Sequence, residues 1–388
     1  MIFKKKIILY FVFVIFSVGA GLPALSLKSV VWADKSAPTG KDNKNIVKIA
    51  LITNAKSINI KVKSPYKIIS GKSELDEGKS GNWDVSVSGS KIRFGQYQKD
   101  TFKIISSIIT VNDKKSYRFG IIIKRNSNYL LVINELDMEE YLQGVVPCEI
   151  SSKSPAEALK SQAVAARTFA HYQMLGNQNK DYQLVDTVFS QVYNGVSAER
   201  ETTNKAIEDT RGEILTYNGK NISTPFFANC GGHTETNKNV WSGDCPYLIS
   251  VSCKYCADFP HSTWETEISK DKIRRNLNNS NINVGIIEEI KIKSTSDSGR
   301  SKEIEIIHSK GKTILNSNKF RLAVGPSTIK STYFTLKERL GSFIFKGRGW
   351  GHGVGMCQDG AVGMSKEGYD YKEILLHYYT GTKLAKIE

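Results

Sequence analysis

The 388-residue chain is short of acid: 38 Asp and Glu stand against 54 Lys and Arg, a net charge of +16. That imbalance does not choose a fold, but it favours a polyanionic partner or surface, whether nucleic acid, anionic lipid or an anionic cell wall. Proline is scarce at 9 residues, and the 31 glycines are too few for collagen-like or linker-dominated material. There is no Gly-x-Ser-x-Gly for a serine hydrolase. His-Glu-x-x-His and both glycine fingerprints of nucleotide sites are missing too. No internal repeat and no low-complexity block interrupts the chain. What it does have is apolar material, with 16 Phe, 17 Tyr and 5 Trp among 40% hydrophobic residues. Disorder is thereby excluded, and the length suffices for one large core or two ordinary ones.

The N-terminus runs Met1-Ile2-Phe3-Lys4-Lys5-Lys6, then apolar from Ile7 to Ala20, then Gly21-Leu22-Pro23-Ala24-Leu25. A basic start ahead of a greasy stretch is the pattern of a secretory signal, and Val31-Trp32-Ala33 offers small or medium residues where a signal peptidase reads. The apolar stretch to Leu27 is also about long enough to span a bilayer if uncleaved. Residues 1–33 are therefore expected to be a signal peptide or membrane anchor. The rest is expected to work outside the cytoplasm, membrane-anchored or secreted. Export removes nucleic acid from the expected partners and brings the anionic envelope forward.

Residues 34–45 are polar and turn-rich and read as a tether. From Ile46 to about Ile133, short Ile- and Val-rich runs such as Val47–Leu51, Ile58–Val62 and Tyr117–Ile123 alternate between turn signals, which predicts an antiparallel β module over 46–130. The first helix is expected at Pro155–Leu175, with Ser154 as N-cap and Glu157 closing a capping box. Its face of Leu159, Ala163, Ala166 and Ala170 is narrow enough to let another backbone approach. Further helices are expected at Ala198–Thr210 and Tyr371–Tyr379, and strands at Ile287–Lys293 and Glu303–His308. Strands and helices are segregated, so the expected class is α+β: a β-rich module followed by a mixed core over 131–388.

Three constellations carry chemistry. Glu149 lies between an apolar strand-like run and the helix N-terminus, where partial desolvation would raise its pKa toward that of a useful general acid. The segment Gly347 to Gly360 has five glycines at alternate positions from 347 to 355, suiting a backbone that bends sharply or lets a ligand lie against it. Within it Trp350 offers a flat face to a sugar, and His352 and Gln358 offer hydrogen bonds. Cys230-Gly231-Gly232-His233 and Cys253-Lys254-Tyr255-Cys256 are two x2-spaced pairs, 19 residues apart, that suit a structural zinc, with Cys245 and His261 as alternative ligands. Six cysteines in an exported chain equally suit disulfides, and free thiols remain open. Cys148 and Cys357 flank the other two constellations, which invites a link between them.

Several stretches together resemble the SpoIID/LytB family: Tyr141-Leu142-Gln143-Gly144-Val145-Val146-Pro147-Cys148-Glu149, the run Glu157 to Ala170, Asp186-Thr187 with Gln191-Val192-Tyr193, and Gly231-Gly232-His233-Thr234-Glu235. Ser298-Gly299-Arg300, Phe320 to Gly325, the glycine-rich 347–364 and Ile374 to Gly381 continue the match, which spans about residues 130–383. The resemblance implies a peptidoglycan lytic transglycosylase of sporulation and engulfment, or, as in LytB-type members, a non-catalytic enhancer of a cell-wall amidase. It implies glycan strands stripped of stem peptides as substrate, a wall-facing position, and an amidase acting upstream. It places the catalytic glutamate on Glu149 and requires no cofactor for catalysis. Tyr193, Trp350, His352 and Gln358 are the expected lining of the sugar cleft. One departure stands out. Some relatives bind zinc through Cys and His in the segment matching Val185 to Gln191, where this chain has neither. Any zinc here would use the separate cluster of Cys230, His233, Cys253 and Cys256.

Overall fold

The structure, a computed structural model, describes residues 45–241 and 243–387. The expected signal or anchor (1–33) and all but the last residue of the tether lie outside the described residues. Among the described residues no helix is long and apolar enough to cross a membrane.

The alternating Ile and Val runs form an antiparallel sheet. Ten strands between Ile46 and Asp137 join the short strand Leu184–Val185 in one eleven-stranded sheet. Thr101–Val111 pairs with Lys115–Asn126, which pairs with Tyr129–Asp137, and that strand returns along Ile46–Ala55 with Ile46 opposite Asp137. Along Thr101–Val111 the inward set is Phe102, Ile104 and, past a bulge between Ser106 and Ile108, Ile109. The bulge shifts the period-two alternation by one, which is why Ile109 is buried while Ile108 faces out.

Helix α1 (Met138–Glu149) follows directly on the last of these strands. Its sequence reads as strand-like because of Val145-Val146, yet it is helical for three reasons. Asp137 caps it by accepting the Glu139 N–H, Glu139 and Glu140 sit in the positive first turn, and Met138, Tyr141, Leu142 and Val145 recur at helical spacing and are buried. Pro147 lacks the N–H that would continue the ladder, and the helix ends two residues later at Glu149.

Helix α2 (Ala156–Gly176) is buried on nearly every side, including Ala158, Gln162, Ala163, Ala165, Ala166, Arg167 and Ala170. The small residues admit close neighbours, as expected, on more than the one narrow face. The expected capping box is absent: Ser154 makes no side-chain cap, and Glu157 instead accepts the Tyr371 N–H at 2.9 Å. Helix α3 (Glu201–Asp209) starts three residues later than its sequence suggests, after a 3-10 turn at Gly195–Ala198.

Beyond α4 (Asn237–Val240) a second core gathers Trp264, Ile268, Ile273, Phe320, Phe343 and Phe345. It is built from two three-stranded sheets with α5 (Lys270–Asn279) and α6 (Ser317–Val324). Helices α7 (Gln358–Lys366) and α8 (Tyr371–Tyr378) rejoin the first core, and a capping box of Asp370 and Glu373 opens α8. The molecule is α+β, with the β-rich part first and the helices after it.

The glycine-rich run lies against the chain itself. Gly349, Gly351, Gly353 and Gly355 all have positive φ, and a bridge pairs Trp350 with Asn229 in both directions at 2.8 and 3.0 Å. At Gly355, φ is +78° and a Cβ would stand 2.1 Å from the Pro225 carbonyl oxygen. Gly355→Ala is therefore expected to cost at least about 2 kcal/mol of stability, left-handed strain adding to the clash. Chemical denaturation measures it, and a loss below about 0.5 kcal/mol would mean that segment 225–231 yields freely.

Candidate functional site

Glu149 is the last residue of α1, half-buried, with its carboxyl Oε1 accepting the Val192 N–H at 2.9 Å. Burial raises its pKa, and the single backbone donor only partly offsets that. Among the described residues no cation pairs with it. A carboxyl so placed holds its proton to higher pH than a solvated one, the property a general acid needs. Its backbone carbonyl is held as well: Gln358 Nε2 donates to the Glu149 oxygen at 2.9 Å and to Gln162 Oε1 at 3.2 Å. The end of α1 is thus fixed by the start of α7 through a side chain 209 residues away in sequence.

The other buried carboxylates are already engaged. Glu139 meets Arg167 in a bidentate pair, with Oε1 and Oε2 accepting from Nε and Nη2 at 2.9 and 2.7 Å. Glu235 accepts from Ser296, Ser298, Asn239 and the Thr236 N–H, contacts that outweigh its burial and hold its pKa down. Asp186, half-buried with a raised pKa, lies on the Glu149 side: the Tyr193 N–H donates to its carbonyl, and Lys115 stands 3.8 Å from its carboxyl.

The sequence-selected cleft residues divide. Gln358 does reach Glu149. Tyr193 is 1% exposed, its hydroxyl donating to Asn134 at 2.8 Å and its ring packed on Tyr117 and Tyr141, so it is core and not cleft. His352 uses both ring nitrogens internally: Nε2–H donates to the Phe226 carbonyl, and Nδ1 accepts the Val354 N–H. Burial, with Arg321 nearby, pushes its pKa down to about 3, so the ring is neutral and serves as a pin. Trp350 is half-buried, with His261 edge-on at 4.6 Å and Lys330 Nζ 4.9 Å above its ring.

The cysteines depart from the expected set in one ligand. Cys230, Cys253 and Cys256 converge, but the fourth member is Cys357; all four are buried, with their sulfurs within 4.8 Å of one another, close enough to hold a metal. His233 points outward, because the turn at Gly231 and Gly232, both of positive φ, swings it off the cluster. Cys148 is elsewhere, its thiol donating to the Gly144 carbonyl and accepting from Asn194, so the suggested Cys148–Cys357 link does not form. Cys245 is likewise outside, and all six cysteines are free thiols.

Beside Glu149 runs an open groove of about 550 Å³, lined by Cys148, Ser151, Ser152, Val192, Asn194 and Arg200 among others. Of these, the sequence points to Cys148 and, within Gln191-Val192-Tyr193, to Val192, whose backbone N–H meets Glu149. A family model described as stage II sporulation protein, SpoIID, matches residues 126–217, the stretch that carries α1, α2 and the groove. The stage II sporulation protein D of Bacillus subtilis is 31% identical over 277 residues, covering 66% of this chain and 76% of that protein. The chain belongs to the SpoIID family. An uncharacterized protein of Brachyspira hyodysenteriae is 36% identical over 349 residues, covering 88% of this chain and 93% of that one. The amidase enhancer of Bacillus subtilis is 30% identical over 288 residues, 63% of this chain but only 40% of its own length. A second model, a domain of unknown function (DUF8618), matches residues 256–355, which hold the second core of this SpoIID-family chain.

Proposed function

We propose that this SpoIID-family chain is an exported, wall-facing lytic transglycosylase, a carbon–oxygen lyase that cuts peptidoglycan glycan strands freed of stem peptides, with a role in sporulation. The observation that carries it is Glu149: one half-buried carboxyl of raised pKa, without a cationic partner among the described residues, beside a polar groove. Protonated Glu149 gives its proton to the oxygen joining N-acetylmuramic acid to N-acetylglucosamine, and that bond breaks. The muramoyl 6-hydroxyl then closes on C1, and the Glu149 carboxylate takes the hydroxyl proton. The products are a free 4-hydroxyl and a 1,6-anhydro end. Water and the paired carboxylates of ordinary glycosidases are not needed, and no cofactor enters the step.

Ser151, Ser152 and Asn194 offer the hydroxyl and amide groups that sugars bind. Phe189, 90% exposed in the loop ahead of Val192, offers a flat ring for a sugar face. The net charge of +16 suits the anionic wall. A second reading has one observation behind it, the similarity to an amidase enhancer: the same groove would hold glycan without cutting it, for an amidase acting beside it.

The full chain incubated with stem-free glycan strands is expected to yield anhydro-muramoyl ends by mass spectrometry. Reducing ends would replace lytic transfer with hydrolysis and make Asp186 the first candidate for the second carboxylate. Bound but uncut glycan would overturn catalysis in favour of the enhancer reading.

A further inference from the structure

We propose that Cys230, Cys253, Cys256 and Cys357 hold a structural zinc ion that fixes the start of α7, and with it the residue that meets Glu149. The four sulfurs lie within 4.8 Å of one another, and all four residues are 0% exposed. A tetrahedral zinc with Zn–S of about 2.3 Å sets its sulfurs about 3.8 Å apart, so an ion fits with little contraction. Every sulfur neighbours the other three, the arrangement of one four-coordinate centre, whereas two disulfides call for two separate pairs. Cys230 and Cys256 stand 3.4 Å apart, sulfur to sulfur.

The local chain is shaped for such a centre. Cys253 and Cys256 are x2-spaced across the 3-10 turn Lys254–Cys256, the spacing of a metal knuckle. Cys357 is the N-cap of α7, its sulfur accepting the Gly360 N–H at 3.3 Å and the Cys230 N–H at 3.2 Å, so two backbone donors already aim at the cluster. Gly360 leaves the room: a Cβ there would stand 2.7 Å from the Cys253 sulfur and 2.0 Å from the Tyr378 hydroxyl. Arg300 supplies a countercharge. It is buried, its Nη2 donates to the Cys230 carbonyl, and among the described residues its Nε and Nη1 have no hydrogen-bond partner. A zinc with four thiolates carries two negative charges, which this guanidinium and the α7 N-terminus both offset.

A divalent ion lets all four ionise together and shields them from oxidation outside the cell. Cys357 is followed directly by Gln358, whose amide holds the Glu149 carbonyl, so the ion anchors the helix end that positions the acid. The site is separate from the Val185–Gln191 segment, which has no Cys or His.

The test uses the full chain, expressed with zinc and purified under reducing conditions without chelator. Elemental analysis is expected to find one zinc per chain, and X-ray absorption at the zinc edge to find four sulfurs at about 2.3 Å. His233→Ala, Cys148→Ser and Cys245→Ser are expected to leave the metal content unchanged, and Cys357→Ser to lose zinc or to show an oxygen in place of one sulfur. Metal-free protein with six titratable thiols, protein carrying disulfides among these four, or a first shell containing imidazole would each overturn the proposal. Because the absorption spectrum is taken on the unaltered chain, a Cys357→Ser variant that fails to fold leaves the test standing. None of these readouts involves glycan, so the outcome is independent of the proposed reaction.

Discussion

Glu149→Gln is expected to lower glycan cleavage by between about a hundredfold and ten-thousandfold, the range a positioned proton donor contributes, while the folded state becomes no less stable. The amide keeps the shape and still accepts the Val192 N–H, so only the transferable proton is lost. Stability should move the other way from activity. The folded pKa of Glu149 lies above its unfolded value, because burial penalises the anion. Between those two values the native state binds more protons than the unfolded chain, so stability falls as pH rises through that window, and the penalty is fully present above the folded pKa. Removing the charge relieves it, and the variant is expected to unfold at equal or higher denaturant concentration than the parent at neutral pH. Parent cleavage is expected to decline with rising pH as Glu149 loses its proton. A variant that keeps parental activity ends the assignment of Glu149 as the acid; one that unfolds easily makes Glu149 a structural residue instead.

Which parts of this site were legible in the sequence follows from the range of the interactions. The period-two runs of the first sheet are local and readable, as are the two strands at Ile287–Lys293 and Glu303–His308 in the second core. Glu149 stood out because it sits at a boundary, although α1 itself did not: Val145-Val146 mimics a strand, and only the packing of Tyr141 and Leu142 in the core settles the helix. The capping box at Ser154 and Glu157 was a sound local pattern that lost to a distant partner, the Tyr371 N–H, 214 residues on. The same holds for the thiols. An x2 spacing identified Cys253 and Cys256, but Cys357 lies 127 residues from Cys230, and nothing local distinguishes it from His233 as the fourth member. The alternating glycines announced a special backbone correctly, but that the close neighbour is segment 225–231 and not a ligand is a tertiary fact.

Arg167→Met is expected to destabilise the chain by about 3–5 kcal/mol, the largest single loss outside the four-cysteine cluster. Arg167 is 0% exposed, and its guanidinium holds three separate pieces of the fold: the Glu139 carboxylate in the first turn of α1, the Ile207 carbonyl near the end of α3, and the Glu213 carbonyl beyond it. Methionine replaces the stem but leaves Glu139 as a buried anion whose remaining donor is the Gly212 N–H at 3.1 Å. That stranded charge, more than the lost attraction, sets the size of the effect. Adding Glu139→Gln should therefore recover part of the loss by removing the charge. Recovery should stop short of the parent, because two carbonyls still lack the guanidinium. A single variant costing under about 1 kcal/mol would mean that water reaches the pair and that the end of α1 opposite Glu149 needs no such anchor. Glu139 and Glu149 lie ten residues apart on α1, about 15 Å. The pair at one end and Gln358 at the other therefore hold the same rod, and loosening either is expected to lower cleavage through the placement of Glu149 and not through its proton.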